Sequence, residues 1–489
     1  MIAQLSRVVN RLLFAKLDEL SIQVIGITLD TGAKCLTCQK SSVIIKVMNY
    51  NTLTPGTRLV KKMQTFATGH LATSGEISNI AIINTTSDEI LAKEVLVGIK
   101  SKGGAVNVFN IPQLGVNRVS PMTAKYAPDF KRVTAQTTQA IIKTNLIDAV
   151  VVIAYCPITT MGVLLGSLKA NCPVIVLPLG QNHSTGRNMF RVVGDVFSGG
   201  CSDVPGKTNE EKLDFMIRNW ALPKGLPAWH GLTHTFFYTL QQMGLGHPTY
   251  MEACYGLNTP LQIDLARKTG ETIVQMAKDI SVPRKLLTKN AFADVITKMT
   301  GDFCLSGLLL AQELVTANGE KLGHEFISDI ARKNNNPKIV FVRGGACEDG
   351  GYVRVTEKTP IKFTGKAWVY KSLEDADIAL TSGAIQEGVI VLHHCVGMDI
   401  SQIVHTLEGM NAQDRLAVVT DGFCDTTDVL VVTHCRPSSD MNEDFANIQT
   451  GDVLEIDLAK ARFNNSVSAK DLKNRAKRGA IKRPIDFFV

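Results

Sequence analysis

The sequence predicts an α/β protein in two parts: an N-terminal α/β domain built on a parallel sheet, and a smaller β-rich C-terminal domain. Three observations predict it. Ala149–Gly180 sets two β-branched runs, Ala149–Ala154 and Val174–Leu179, around an apolar segment, Met161–Leu168, that is too long for a turn. The order is strand, loop, helix, strand, and strands that are apolar throughout mark a parallel sheet buried on both faces. A second βα unit comes before it: a strand over Ile77–Ile83, a helix over Ile90–Lys100, Gly103-Gly104, and a strand over Ala105–Ile111. The polar run Lys333-Asn-Asn-Asn-Pro337 then changes the character of the chain. The domains are therefore drawn at 1–337, with 1–76 a divergent extension, and at 338–489.

Taken in order, Met1–Leu20 is amphipathic, with Arg7, Arg11 and Lys16 against Leu5, Val9 and Leu12. Asp18 and Glu19 favour an ordinary first helix over a mitochondrial presequence. Ile22–Leu29 and Ser42–Met48 read as short strands around Cys35-Leu-Thr-Cys38, and this lone pair without further ligands reads as a solvent-facing turn. A helix is expected through Val119–Thr144. Within the central βαβ unit, the expected loop Cys156-Pro-Ile-Thr-Thr160 lies at the carboxyl end of a strand, where open α/β sheets bind ligands. Further helices are expected at Asn209–Trp220, Thr233–Gly244, Leu265–Ile280, Asn290–Met299 and Leu305–Val315. Beyond residue 337 the strands are Ile339–Val342, Gly351–Thr356, Ala367–Tyr370, Val389–His394, Ala417–Thr420, Val429–His434 and Val453–Leu458, with one helix at Leu373–Ser382. The basic tail, Ala469–Arg483, reads as an exposed helix.

Composition bounds the function classes. With 45% hydrophobic and 20% charged residues among 489, the chain has the balance of a globular protein with a sizeable core. Its net charge of +7 inclines it towards an anionic ligand or a nucleic-acid surface. No apolar run reaches the roughly eighteen residues of a membrane span. Eleven scattered cysteines without a secretory signal point to a reducing compartment, cytoplasm or mitochondrial matrix.

Few residues carry chemistry on their own. Cys156 has no Lys, Arg or His beside it in sequence to lower its pKa, so a buried, inert thiol is the plain expectation. His230 and His234 are spaced for one helix face, but Pro227 and Gly231 interrupt that helix and no third zinc ligand follows. Asp421 and Asp425 make a carboxylate pair near His434, a pattern suited to general acid–base work. Against this, the Asp of a Thr-Asp-Gly turn ordinarily bonds its own backbone. Gly344-Gly345 and Gly350-Gly351 lack the lysine and helix of a phosphate loop. The tail's Lys470, Lys473, Arg475, Lys477, Arg478, Lys482 and Arg483 suit RNA or an acidic partner, or else form a solvated helix face.

Several segments in a fixed order resemble the dihydroxy-acid and phosphogluconate dehydratase family, iron–sulfur lyases that turn sugar acids into 2-keto-3-deoxy acids. They are Met243-Gly-Leu with Pro260–Arg267, Gly344–Arg354, Phe363–Tyr370 with Ala384–Val391, and Ala417–Gly422 followed by His434 and Thr450–Asp457. The likeness runs from about Ile77 to Arg475, and the spacing around Gly162–Pro173 resembles the phosphogluconate branch. It implies an α/β sandwich followed by a small β-barrel-like domain, a homodimer, a cluster iron as Lewis acid, Mg²⁺ on the substrate carboxylate, and a base for the α-proton.

This chain departs from that pattern at the site. Only Cys156 stands at a family cluster position. Pro227 falls at another, and the first cysteine, expected after Asn84–Glu89, is absent, with Asp88 or Glu89 a poor substitute. Pro157 and Ile158 replace an aspartate and a lysine, Leu114 replaces an aspartate, and His394–Met398 lacks the expected glutamate. Asp425 stands where the family has its catalytic serine, and Phe423-Cys424 replace an arginine and an apolar residue. The expectation is a dehydratase fold without the dehydration. It would be kept as a structural or binding subunit with no cofactor, meeting a protein or RNA partner through its basic surface and no membrane. The alternative is an active hydro-lyase with an iron–sulfur cluster and Mg²⁺, acting on a sugar acid or dihydroxy acid.

Overall fold

A computed structural model describes residues 55–67, 77–86, 88–112, 124–180, 196, 205–220, 231–249, 256–299, 303–334, 338–345, 347–424, 427–436, 438, 444–468, 471–472 and 474–475. All of them belong to one compact unit, Val47–Val489. The expected N-terminal helix, the strands near residues 22–48, Cys35, Cys38, Leu114, Pro227 and His230 lie outside the described residues.

Four strands form the first sheet: β1 (Asn79–Asn84), β2 (Ala105–Asn110), β3 (Ala149–Ala154) and β4 (Val174–Pro178). Their order is β2-β1-β3-β4 and every pairing is parallel. β1, β3 and β4 are buried at every residue, as continuous Val/Ile runs between helix layers must be, while the edge strand β2 is half-exposed. Close helix contacts hold the layers. The helices Glu89–Ser101 and Pro260–Lys278 touch at Gly98 and Gly270, where an added Cβ would fall 2.0 Å from the Arg267 carbonyl oxygen and 2.2 Å from that of Val95. Ala127–Thr144 and Pro157–Ala170 meet in the same way at Gly162 and Gly166. The Pro55–Ala67 helix is anchored by Lys61, whose ammonium lies 2.6 Å from Asp148. That carboxylate also accepts the Asn79 N–H at 2.7 Å, beside β1.

Several helices begin earlier or later than their sequence patterns suggest. Pro157–Thr160 is not a loop but the first helical turn, because Pro157 is preorganised for the first helical position and the Thr160 N–H reaches the Cys156 carbonyl at 3.0 Å. The helix expected from Val119 is described from Ala127, with Pro128 in its first turn. The helix expected from Leu265 starts at Pro260 behind the Thr259 cap. Leu232–Leu240 ends in a π turn, Gln241–Leu245, where Gly244 takes φ +83°.

The second part is a closed barrel. Its strands are β5 (Ile339–Gly344), β6 (Cys347–Arg354), β7 (Lys362–Tyr370), β8 (Gly388–Leu392), β9 (Leu416–Thr420), β10 (Val431–Arg436), β11 (Val453–Asp457) and β12 (Arg462–Asn465). They close in the order β10-β6-β5-β12-β11-β7-β8-β9. Strands β7 to β10 run parallel, joined through the helices Leu373–Thr381 and Ser401–Gly409. Alternation sorts β8 cleanly. Val389 and Val391 enter the barrel core with Val419 and Phe463, while Ile390 and Leu392 pack outward with Leu380 and Ile403. Among the described residues, no helix is long and apolar enough to cross a membrane.

Candidate functional site

Two strand edges converge at the seam between sheet and barrel. On the sheet side, β3 runs into Tyr155 and Cys156, and Cys156 is the N-cap of the Pro157–Ala170 helix without a capping side-chain bond. On the barrel side lie the carboxyl ends of the parallel strands: His393 after β8, Asp421 after β9, and His434 within β10. The two sides touch. A Cβ on Gly397 would sit 3.4 Å from the Pro128 ring, and Phe423 belongs to the apolar core of the α/β layer.

Cys156 is buried, and burial pushes its thiol above the ordinary value. The Thr159 N–H and hydroxyl and the Ile158 N–H oppose the shift, and the Asp399 charge adds to it. A helix N-terminus usually favours thiolate, but here desolvation wins. Asp399, which sequence reasoning passed over, thus faces Cys156 across the seam. Its carboxylate accepts the Ser401 N–H at 2.9 Å, two residues on, at the start of the Ser401–Gly409 helix.

The turn after β9 is occupied by backbone bonding. Asp421 is buried and its Oδ1 accepts the Cys395 N–H at 2.8 Å, which is the turn role rather than a carboxylate turned to substrate. Gly422 accepts the His434 N–H at 3.0 Å, so Asp421 and His434 do share one turn. Asp425 lies outside the described residues. His434 has a left-handed backbone, φ +54°, at an irregular step in the β10–β6 ladder, and its Nδ1 is sealed without a hydrogen-bond partner. Burial first, then Arg436 and His324, hold it neutral, down to about 3, while the Gly422 carbonyl opposes them. His393 is likewise pushed down to about 4 by burial, His394 and Lys371. Neither imidazole exchanges protons near pH 7.

Phe423 and Cys424 fill the next positions. Phe423 is 1% exposed, donates its N–H to Met398 at 3.1 Å, and accepts the Ile400 N–H at 2.8 Å. The Cys424 N–H donates to the Ser306 Oγ at 3.1 Å, and the Cys304 thiol donates to the Cys424 carbonyl at 3.4 Å. Beside them a cavity of about 10 Å³, room for one water, is lined by Ser306, Arg354, Cys424, Thr427 and Thr433.

The other candidates are placed more simply. Asn84, Thr85, Thr86 and Asp88 form a turn bonded within itself, and Asp88 caps the next helix through the Leu91 N–H at 2.9 Å. His234 is buried in its helix. Of the tail cations, Arg475 is committed to the barrel, with 2.7 and 3.1 Å bonds to Asp452 and 3.1 Å to the Asn447 carbonyl. This corrects its assignment to a free basic surface. Lys470, Lys473, Lys477, Arg478, Lys482 and Arg483 lie outside the described residues.

Among the described residues, no three His, Cys, Asp or Glu side chains are grouped as metal ligands. The donors do not fit an iron–sulfur cluster with Mg²⁺. The Cys156 thiolate is disfavoured, and at the described positions the buried ring of Pro157 stands where the resemblance has an aspartate to supply hard oxygen.

The architecture is thus a parallel α/β layer packed in contact with a closed mixed barrel. Residues 75–301 match the family description "Dihydroxy-acid/6-phosphogluconate dehydratase N-terminal", and residues 327–486 match "Dihydroxy-acid/6-phosphogluconate dehydratase C-terminal". The chain belongs to this dehydratase family. The dihydroxy-acid dehydratase of Methanococcus aeolicus is 22% identical over 81% of this chain and 88% of its own length. That of Metallosphaera sedula is 24% identical over 79% and 84%. A dihydroxy-acid dehydratase of Saccharolobus islandicus reaches 30% identity, over 31% of this chain and 29% of its own.

Proposed function

We propose that this chain is a dehydratase-family member that does not carry out the dehydration and serves as a structural or binding subunit of a larger assembly. One observation carries the reading: Phe423 reaches from the barrel turn into the core of the α/β layer, 1% exposed, where the family resemblance has an arginine. A polar pocket for a charged substrate needs charged and hydrogen-bonding groups at that turn, and this turn instead packs as core. The protonated Cys156 beside Asp399 and the backbone-bonded Asp421 point the same way. Dimerisation and a protein or RNA partner engaged through basic residues outside the described ones complete the proposal.

Iron and acid-labile sulfide per chain, measured on anaerobically purified protein with its visible spectrum, test this. A colourless, folded, iron-free protein is the expected result. Stoichiometric cluster, with visible absorbance and turnover of a sugar acid or dihydroxy acid, overturns it and establishes the active hydro-lyase that the names of the relatives suggest.

A further inference from the structure

We propose that Cys304 and Cys424 form an oxidisable thiol pair that a small peroxide converts into a disulfide joining the α/β layer to the barrel. This stands apart from the question of dehydration, because it uses neither Cys156 nor a metal. Both residues are buried thiols, at 1% and 6% exposure. They come from opposite sides of the seam, Cys304 as N-cap of the Leu305–Ala317 helix and Cys424 from the loop after β9. The Cys304 Sγ is already 3.4 Å from the Cys424 carbonyl oxygen, and the Cys424 N–H is 3.1 Å from Ser306 two residues on. Both contacts hold the two backbone segments side by side at the seam.

Cys424 also meets the conditions for being the sulfur oxidised first. It lines the seam cavity, whose volume of about 10 Å³ holds one water and shuts out large oxidants. The Arg354 guanidinium and Ser306, in the first turn of the Leu305–Ala317 helix, line the same cavity. A cation and a helix N-terminus act against the burial that disfavours thiolate at this position. The Arg354 Nε donates to the Phe303 carbonyl at 3.2 Å, so the charge is held next to Cys304.

The chemistry balances. The Cys424 sulfur attacks one peroxide oxygen, an S–O bond forms, the O–O bond breaks, and the leaving hydroxide takes the thiol proton as water. The Cys304 sulfur then attacks the Cys424 sulfenic acid, an S–S bond forms, the S–O bond breaks, and the hydroxide leaves with the Cys304 proton as a second water. Two thiols lose two electrons and hydrogen peroxide is reduced to two waters.

The test is peptide mapping without reductant of the full chain, reduced and then exposed to graded hydrogen peroxide. The expected result is a Cys304–Cys424 linked peptide that appears at lower dose than any other disulfide, with a higher melting temperature. In Cys304→Ser, the Cys424 sulfenic acid should instead be trapped by dimedone. Retention of a Cys424 thiol at doses that oxidise other cysteines overturns the proposal, as does linkage of either cysteine to a different partner. The wild-type map decides this even where a serine variant fails to fold.

Discussion

Phe423→Ala is the sharpest probe of the seam. The side chain is fully buried, but it belongs to a barrel loop while packing in the core of the α/β layer. Truncating a buried phenylalanine costs about 3–5 kcal/mol through lost transfer energy and the cavity left behind. Phe423→Leu, which retains most of the volume, should cost less than about 1.5 kcal/mol. Against a typical total of about 5–15 kcal/mol, the alanine loss is large. It falls on the contact between the two parts rather than within either. Urea unfolding followed together by far-ultraviolet circular dichroism and tryptophan fluorescence should show one shared transition in the wild type. In Phe423→Ala, with Trp220 and Trp229 replaced by Phe so that Trp368 alone reports the barrel, the midpoint should drop and the two probes should separate. A loss below about 1 kcal/mol with coincident transitions would refute the view that this side chain couples the parts.

Three further outcomes are expected. His434 is held neutral in the fold, with its pKa brought down to about 3, against about 6.5 unfolded. Its contribution is complete above about pH 6.5 and is lost as pH falls towards 3, so His434→Gln should flatten the acid side of the stability curve by up to about 1.4 kcal/mol per pH unit. Unfolding at pH 7.5, 5.5 and 4.5 measures the slope, and an identical slope in the variant contradicts the assignment. Gly270→Ala places a methyl 2.2 Å from the Val95 carbonyl oxygen and should cost at least about 1–3 kcal/mol, whereas Gly319→Ala, which meets no neighbour and differs by backbone strain alone, should cost less. Paired thermal melts decide between them. Deleting residues 477–489 should leave the melting temperature intact, while deleting everything after Asn464 should lower it sharply, because Leu472 lies in the barrel core and Arg475 binds Asp452. RNA retention that falls with salt and disappears with the shorter deletion supports the tail as the basic surface. Retention unchanged by that deletion argues against it.

Much of the α/β layer was legible because its signal is local. Runs such as Ala149–Ala154 can only be buried strands, and the glycine pair after Lys100 marks the turn into β2. The misses share a cause in tertiary context. Pro157 reads as a loop residue until its position as the first helical residue is seen. Ser401–Gly409 has six consecutive buried residues, Gln402–Leu407, so the polar–apolar contrast that reveals a surface helix is missing. β12, Arg-Phe-Asn-Asn, has one apolar residue and is a strand through its pairing with β11 and β5. At the site, sequence pointed to departures from the family pattern, but the contacts that fill those positions were not legible in it. Phe423 entering the other core, Asp399 beside Cys156, and the left-handed His434 depend on contacts between residues far apart in the chain.

The place of β12 in the ring has a consequence for how the molecule comes into being. Among the described strands it is the last in the chain, yet it stands between β11 and β5, a strand begun at Ile339. Until Arg462–Asn465 leaves the ribosome, every earlier barrel strand waits in an open sheet whose two margins expose unpaired amides. The α/β sheet has all four strands by Pro178, yet its packed core also takes in Phe423 from the barrel loop, so each half is finished only with residues from the other.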